Sequence, residues 1–456
     1  AVIGARALYN HWLSPRATAI ATAIFALAPC HAIPLSWLAN REVLVSLAFG
    51  TFALGAFVRY REKGARRDFW AALALFALAM LAGEYSLAFG GYVLALEVFV
   101  PSKALERRAM AIASFAAPAL ATIVVRAKLG FGNFGSGFYR DPFVQTRAFF
   151  EGAPRRLARM LVDAWLASDS DWAMDAKWYA LGAFVIFVGV AIAIPVRRAL
   201  RAHDAATRRL GLGLIAGTMV ALAPMVAVLP SPRLLGVAVL GIAPVVALAL
   251  EHAWFPAAPA DAVRGDLASV LAVLLGFFHL VHAPVTSFLS TRFFHETSTD
   301  FVDRAAWLRD RVDDKPLEAN IVVARAGWQT VLFSPFALDP EGRLPHRWWV
   351  LSLVPHALLL RSGEHTIDLV VQKGRGYFPT GPDDLFRSED EPLHAGDVVH
   401  VPGLTAKVIE GGEHGPGRVH FVFEQKIESL VWVTDGKKGW RDAPPPRVGF
   451  GMPLDP

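Results

Sequence analysis

The sequence predicts a polytopic α-helical membrane bundle over residues 1–289, followed by an extracytoplasmic domain over residues 290–456 that is α/β at its start and mostly β thereafter. Three observations carry that reading. Nine apolar runs recur in the first 290 residues, basic residues gather in alternate loops, and composition turns from apolar to mixed near Leu289–Thr297.

A hydrocarbon core about 30 Å thick is crossed by about 20 apolar residues in helix. Ala17–Leu38, Val43–Val58, Phe69–Gly83, Tyr85–Val100, Ala109–Val125, Trp178–Val196, Leu210–Leu229, Leu234–Phe255 and Leu267–Leu289 are read as spans, the second to fourth being short. Backbone amides cannot stay unpaired in lipid, so such runs are helical. Strands of a membrane barrel would alternate apolar and polar residues instead. Buried helices of a soluble protein are the competing reading, and so many runs recurring in register argue against it.

Charge orients the bundle. Arg59, Arg61, Lys63, Arg66 and Arg67 crowd one loop, Lys103, Arg107 and Arg108 another, and Arg197, Arg198, Arg201, Arg208 and Arg209 a third. The alternate short connections at Ala39–Glu42, Glu84 and Pro230–Arg233 carry almost none. Basic residues stay on the cytoplasmic side. The N-terminal end is therefore expected inside, and the loop Arg126–Lys177 and everything after Leu289 outside. Together with the apolar spans, this implies an integral protein of the bacterial inner membrane. The net charge of +5 is accounted for by these clusters, which implies membrane orientation and anionic-lipid contact, not nucleic acid. The single cysteine, Cys30, excludes an intrachain disulfide framework. The chain opens Ala-Val-Ile-Gly with no signal-peptide pattern ahead of the first span.

Beyond the bundle, Ser298-Thr299-Asp300 can cap a helix whose apolar stripe is Phe301, Ala305, Leu308 and Val312. Ile321–Ala324 reads as a buried strand. Trp349–Leu360, Thr366–Gln372, Val398–Val401, Ala406–Ile409 and Val419–Phe423 read as further strands separated by glycine turns. The tail from Pro444 reads as an extended strap.

Polar groups where the membrane makes them costly are the candidate site. They are His31 with the turn Asn40-Arg41-Glu42, Glu84-Tyr85 between two spans, Arg233 in a minimal turn, and His279 with His282, all towards the outer face. Each alone is an interfacial anchor or helix cap; their convergence suggests a shared outer cavity. Tyr139-Arg140-Asp141 in the long loop would cover it. No cofactor is implied. A divalent metal enters only through Asp169, Asp171 and Asp175, whose i, i+2, i+6 spacing fits no standard loop. Gly130–Gly137 follows no strand and reads as a loop, not a phosphate cradle. The scattered His356, His365, His394, His400, His414 and His420 have no ligand spacing.

The stretch Pro29-Cys30-His31-Ala32-Ile33-Pro34-Leu35-Ser36-Trp37-Leu38-Ala39-Asn40-Arg41-Glu42 resembles a segment of the GT-C superfamily of membrane glycosyltransferases. The likeness is to the protein O-mannosyltransferase-like and tetratricopeptide-bearing mannosyltransferase branch, where a His-Pro helix end leads into a Trp-Ile/Leu-Ala-x-Arg turn. Leu81-Ala82-Gly83-Glu84-Tyr85 resembles that branch's Leu-x-Ser-Lys-Glu segment, and Pro230-Ser231-Pro232-Arg233 its arginine-containing turn. The chain departs in having Ala32 for proline, Gly83 for the lysine beside Glu84, and no tetratricopeptide repeats.

The resemblance covers roughly residues 5–290. It implies transfer of a sugar from a polyprenyl-phosphate donor to an extracytoplasmic protein or glycan acceptor. It also implies two helices and a catalytic acidic residue upstream of Ala1. Arg41 and Arg233 are then candidates for phosphate contact, since guanidinium grips phosphate bidentately. Glu42 and Glu84 would hold those arginines or the sugar hydroxyls. The rival is a non-catalytic subunit of a membrane complex built on the same scaffold, which the loss of the lysine favours. A transporter would want broken midplane helices and an internal repeat. For the orientation, cysteine introduced at Ser362 is expected to react with impermeant thiol reagents from outside and cysteine at Ala65 is not. The opposite labelling pattern would invert the topology.

Overall fold

The computed structural model describes the chain apart from residues 101–104, 132–134, 171, 256–265, 313–315, 340, 342, 355, 374–376, 378–385, 389–390, 413–414, 437–438 and 455–456. It divides into a helical unit, Ala1–Gly132 with Arg140–Phe294, and a strand-rich unit, Asn133–Tyr139 with His295–Pro456.

Among the described residues, six helical segments are long and apolar enough to cross a membrane: Leu38–Lys63, Glu106–Leu129, Trp178–Ala202, Ala205–Ala227, Pro232–Trp254 and Leu267–Arg311. The pair Pro15–Leu27 and Pro29–Ser36, bent by 43°, makes a seventh if it counts as one span. The helical unit runs α1 (Val2–Trp12), α2 (Pro15–Leu27), α3 (Ala32–Ser36), α4 (Arg41–Lys63), α5 (Arg66–Ala82), α6 (Phe89–Phe99), α7 (Leu105–Leu129), α8 (Thr146–Leu166), α9 (Trp172–Asp175), α10 (Trp178–Ala202), α11 (Ala205–Leu222), α12 (Gly236–Trp254), α13 (Leu267–Phe277) and α14 (Ala283–Arg311). Of the nine runs, Phe69–Gly83 and Tyr85–Val100 become α5, 17 residues long, and α6, only 11. α6 is short because a 3-10 turn, Glu84–Ala88, takes up the start of its run.

Local signals set the ends. Ser14 caps α2, its hydroxyl accepting from Ala17 N at 3.1 Å ahead of Pro15 at the first position. Asp204 and Asp266 cap α11 and α13 in the same way, at 2.8 and 2.9 Å. Gly64, at φ +70°, closes α4 in the left-handed conformation.

α12 is the centre of this unit. Every residue from Gly236 to Leu250 is buried, as expected of a helix that is apolar all round. Pro244 sits inside it and has no N–H to give the carbonyl of Leu240 four residues earlier. The Tyr9 hydroxyl donates to that carbonyl at 2.8 Å, so α1 completes the ladder that the proline interrupts. Tyr92 of α6 likewise donates to Val237 O at 2.6 Å. Close packing needs small residues here: a Cβ on Gly91 would lie 2.5 Å from Ala221 N and 2.7 Å from Gly217 O, so α6 and α11 meet almost backbone to backbone. At the end of α4 that carries Lys63, Glu97 is buried between Arg61 Nε at 2.5 Å and Arg108 Nε at 2.8 Å, and Asp68 receives Arg59 Nε at 3.0 Å. Part of the basic cluster from which the sequence reading took its orientation is thus paired within the protein.

In the strand-rich unit, α14 runs unbroken to Arg311 where the sequence suggests a fresh helix start at Ser298-Thr299-Asp300. Thr299 donates back to His295 O at 3.0 Å, and Asp300 pairs with Arg304 at 2.7 Å, so these residues sit on a helix face instead of capping one. β1 (Asn320–Val323), α15 (Trp328–Ala337) and β2 (Arg347–Val350) form a βαβ unit, β1 and β2 pairing in parallel. The run expected as one strand, Trp349–Leu360, is split. Its start ends β2, and β3 (His356–Arg361) belongs to another sheet.

The remaining strands are β4 (Thr366–Lys373), β5 (Val398–Val401), β6 (Leu404–Gly412), β7 (Gly415–Phe423), β8 (Val431–Gly436), β9 (Gly439–Asp442) and β10 (Gly451–Leu454). One sheet has the order β2-β1-β8-β9, with β8 parallel to β1; the other is antiparallel throughout, β10-β3-β4-β7-β6-β5. Asp435 links helix and sheet: its carboxylate accepts from Arg304 and from the Thr330 hydroxyl, both at 2.7 Å. The tail expected as a strap ends in β10 on the open edge of β3.

Tyr9→Phe is expected to leave the Leu240 carbonyl unpaired and to cost about 1–3 kcal/mol, read as a lower melting temperature in detergent. In a Pro244→Ala background the helix supplies its own donor, so the same change should cost much less. Equal costs in both backgrounds would refute the assignment.

Candidate functional site

The sequence places polar residues at helix breaks, and the structure gathers several of those breaks at one end of the helical unit. Pro29 stops α2, since the residue before a proline is held extended; Ala28 has ψ 139°. The chain then makes 3-10 turns at Pro29–His31 and Leu38–Asn40 on either side of α3. The turn at His31 packs on the turn Pro232–Leu235 that precedes α12, and the turn Glu84–Ala88 packs on Pro224–Ala227 at the end of α11. The helix α8, from the long loop, packs on both Pro224–Ala227 and Pro232–Leu235.

Two of the candidates touch. Arg233 donates to the Oδ1 of Asn40, which is buried. His31 is inward as well, its Nε2 2.8 Å from Phe25 O and its ring edge-on to Phe25. That carbonyl is in the last turn of α2 and has no helical donor, so His31 closes the broken helix. Tyr85 does the same at another end, its hydroxyl accepting from Val237 N at 2.8 Å in the first turn of α12. Glu84 pairs with Arg126, both partly exposed, an interaction of small energetic weight. Arg41 and Glu42 are exposed at the start of α4 and hold no partner among the described residues. Glu42 suits that position, because a carboxylate there meets the positive end of the helix. It lies beside Gly83, whose Cβ position is 3.8 Å from Glu42 Cγ.

Tyr139 belongs to the strand-rich unit, and Arg140 and Asp141 to the helical one. Arg140 donates its backbone N–H to Ala227 O at 2.8 Å and Nη1 to Ala148 O at 2.9 Å, while its Nε is buried with no partner among the described residues. Asp141 folds its carboxylate back onto Phe143 N at 2.7 Å, an Asx turn leading into α8. Arg156, absent from the sequence reading, is buried beside Arg140 and donates to Val226 O at 3.2 Å. Burial, and then the Arg140 charge, lower its pKa to about 10. Half-buried Arg140 and buried Arg156 therefore bring two guanidiniums near the turn Pro224–Ala227.

Further along α8, Asp163 is 2 % exposed. Its carboxylate accepts from Ser170 N at 2.8 Å, Ser168 Oγ at 3.1 Å and Arg159 Nε at 3.4 Å. Arg159 also reaches Asp169 at 2.7 Å. Burial outweighs these partners and raises the Asp163 pKa to about 6. The i, i+4 spacing of Arg159 and Asp163 was the available signal, but on sequence it reads equally as a solvated helix face. Of the three aspartates weighed for a metal, Asp169 is held by Arg159 and Asp171 lies outside the described residues. Among the described residues, no three His, Cys, Asp or Glu side chains come together.

His279 and His282 fall in a π-helical turn, Phe278–His282, between α13 and α14. His279 Nε2 meets Trp165 O at 3.0 Å, another carbonyl at a helix end, while the buried Nδ1 atoms of both histidines have no partner among the described residues. No family model, no curated protein and no solved structure matches the chain.

Because the folded pKa of Asp163 lies above its unfolded value, the native state keeps that proton longer, and stability falls as pH rises from about 4 to 6. Asp163→Asn removes this dependence. Relative to the unaltered protein, the variant is expected to gain on the order of 2 kcal/mol between pH 4.5 and 7.5. Thermal melts of both at the two pH values check it; a constant difference would contradict the raised pKa.

Proposed function

We propose that this is a membrane glycosyltransferase that takes a sugar from a polyprenyl-phosphate donor and delivers it to an extracytoplasmic protein or glycan acceptor. The observation that carries the reading is the basic end of the helical unit, where half-buried Arg140 and buried Arg156 lie near one turn and Arg233 sits on a neighbouring turn. The Arg140 Nε is buried with no partner among the described residues, which costs free energy unless something compensates it, and a lipid phosphate at the membrane boundary is an anion this chemistry suits. Guanidiniums would hold the donor phosphate and stabilise the charge that develops on it as the glycosidic bond breaks. The acceptor's proton needs a carboxylate. At this end Glu42 is the acidic side chain with no partner among the described residues, whereas Glu84, Asp141 and Asp163 are engaged.

The rival reading, a non-catalytic subunit of a membrane assembly, draws on the same engagement of carboxylates in structural bonds. Binding and turnover separate the two. Arg156→Gln is expected to weaken binding of a polyprenyl phosphate about 10- to 100-fold, and Glu42→Gln to abolish sugar transfer while leaving that binding intact. If the protein binds no polyprenyl phosphate, the donor reading fails. If it binds one but transfers no sugar from a panel of polyprenyl-phosphate hexoses, the subunit reading replaces it.

A further inference from the structure

A second feature of the helical unit is a cavity of about 600 Å³ between α8, α10 and α11. Its wall is apolar: Val188, Ile192 and Val196 recur along α10, Ile215 and Met219 face them from α11, and Trp165 closes it from α8. From Val185 to Arg201 that wall rises about 24 Å, longer than the roughly 15 Å half-thickness of a hydrocarbon core. Both α10 and α11 are long and apolar enough to cross a membrane, so the medium beside this groove is lipid.

One end is different. Arg197, Arg201 and Arg208 line it, and no carboxylate does. None of the three has an ion-pair partner among the described residues, whereas the adjacent Arg198 is taken up by Asp266. Asp204, in the turn joining the helices, caps α11 through Thr207 N at 2.8 Å. Arg208 stands in the early part of α11, where the helix end adds positive potential.

We propose that this groove binds an anionic glycerophospholipid, with an acyl chain along the apolar wall and the phosphate against Arg197, Arg201 and Arg208. Apolar wall and cationic mouth are complementary to those two halves of one molecule. Arginine near a membrane surface favours anionic lipid additively, so three should give a preference of about a hundredfold over a zwitterionic lipid of the same chains. The site is independent of the proposed donor site, since it shares no residue with it.

The test uses the full-length protein in detergent, titrated with phosphatidylglycerol or phosphatidylcholine of identical chains and read by native mass spectrometry. Phosphatidylglycerol should bind about a hundredfold more tightly. The triple variant Arg197→Gln, Arg201→Gln, Arg208→Gln should lose that preference and keep the weaker phosphatidylcholine binding. Gly189 lines the groove, and a Cβ there meets open space. Gly189→Trp should therefore fill the groove without disturbing the fold and weaken both lipids. Equal affinity for the two lipids in the unaltered protein, or an undiminished preference in the triple variant, would overturn the proposal. So would lipid binding that Gly189→Trp leaves unchanged. Polyprenyl-phosphate binding, measured alongside, should be indifferent to these changes.

Discussion

The helical unit depends on a hydrogen-bond debt inside its central helix. α12 is buried on every side, so a carbonyl freed within it has no water to turn to. Pro244 frees one, at Leu240, and Tyr9 answers it from α1. Tyr92 and Thr218 reach other carbonyls of the same turn, which ties α6 and α11 to α12 by their side chains. The glycines between α6 and α11 let the backbones come close enough for that reach. Packing and polar satisfaction are therefore one constraint here, and removing either loosens the same set of helices.

The same logic governs the broken ends. His31, Tyr85 and His279 each satisfy a backbone group that a helix terminus leaves open, on Phe25, Val237 and Trp165, and Ser86 adds a donor to the Ala79 carbonyl that Gly83 N already meets. Polar residues at membrane depth are read by default as functional, yet these four have structural partners already. For the proposed chemistry there remain Arg140, whose Nε is buried without a partner among the described residues, and Glu42 at the start of α4. A rigid shell of capped turns beneath a few cationic groups is how a scaffold holds an anion in one orientation.

Long apolar runs were legible because their length alone distinguishes them, and six of the nine fall in single helices long and apolar enough to cross a membrane. Two of the three short ones were not, because α5 and α6 draw stability from neighbours in the bundle and from the turn at Glu84–Ala88, which leaves no periodic trace. β1 and β4 to β7 were legible through alternation and glycine turns. The split of Trp349–Leu360 was not, since both halves are apolar and read as one run. Asn40 and Arg233 stood among the site candidates, and their contact joins positions 193 apart in the sequence, a distance no local pattern encodes. Arg156 was missed because a buried arginine and a solvated one look alike until α8 is placed.

The order of strands in the C-terminal unit has a consequence for biogenesis. β8 lies beside β1, and the chain that builds most of the antiparallel sheet, 356–423, is inserted between them; β10 then returns to β3. One sheet is complete only once β9 has been made, and the other only once β10 has. A chain still being made would present β1 and β3 with an open side until β8 and β10 have emerged. Pairing across so long a stretch is slow, and an unpaired edge in the interval invites aggregation. A truncation that removes only the final strand is therefore expected to act on yield and solubility more than on the finished helical unit.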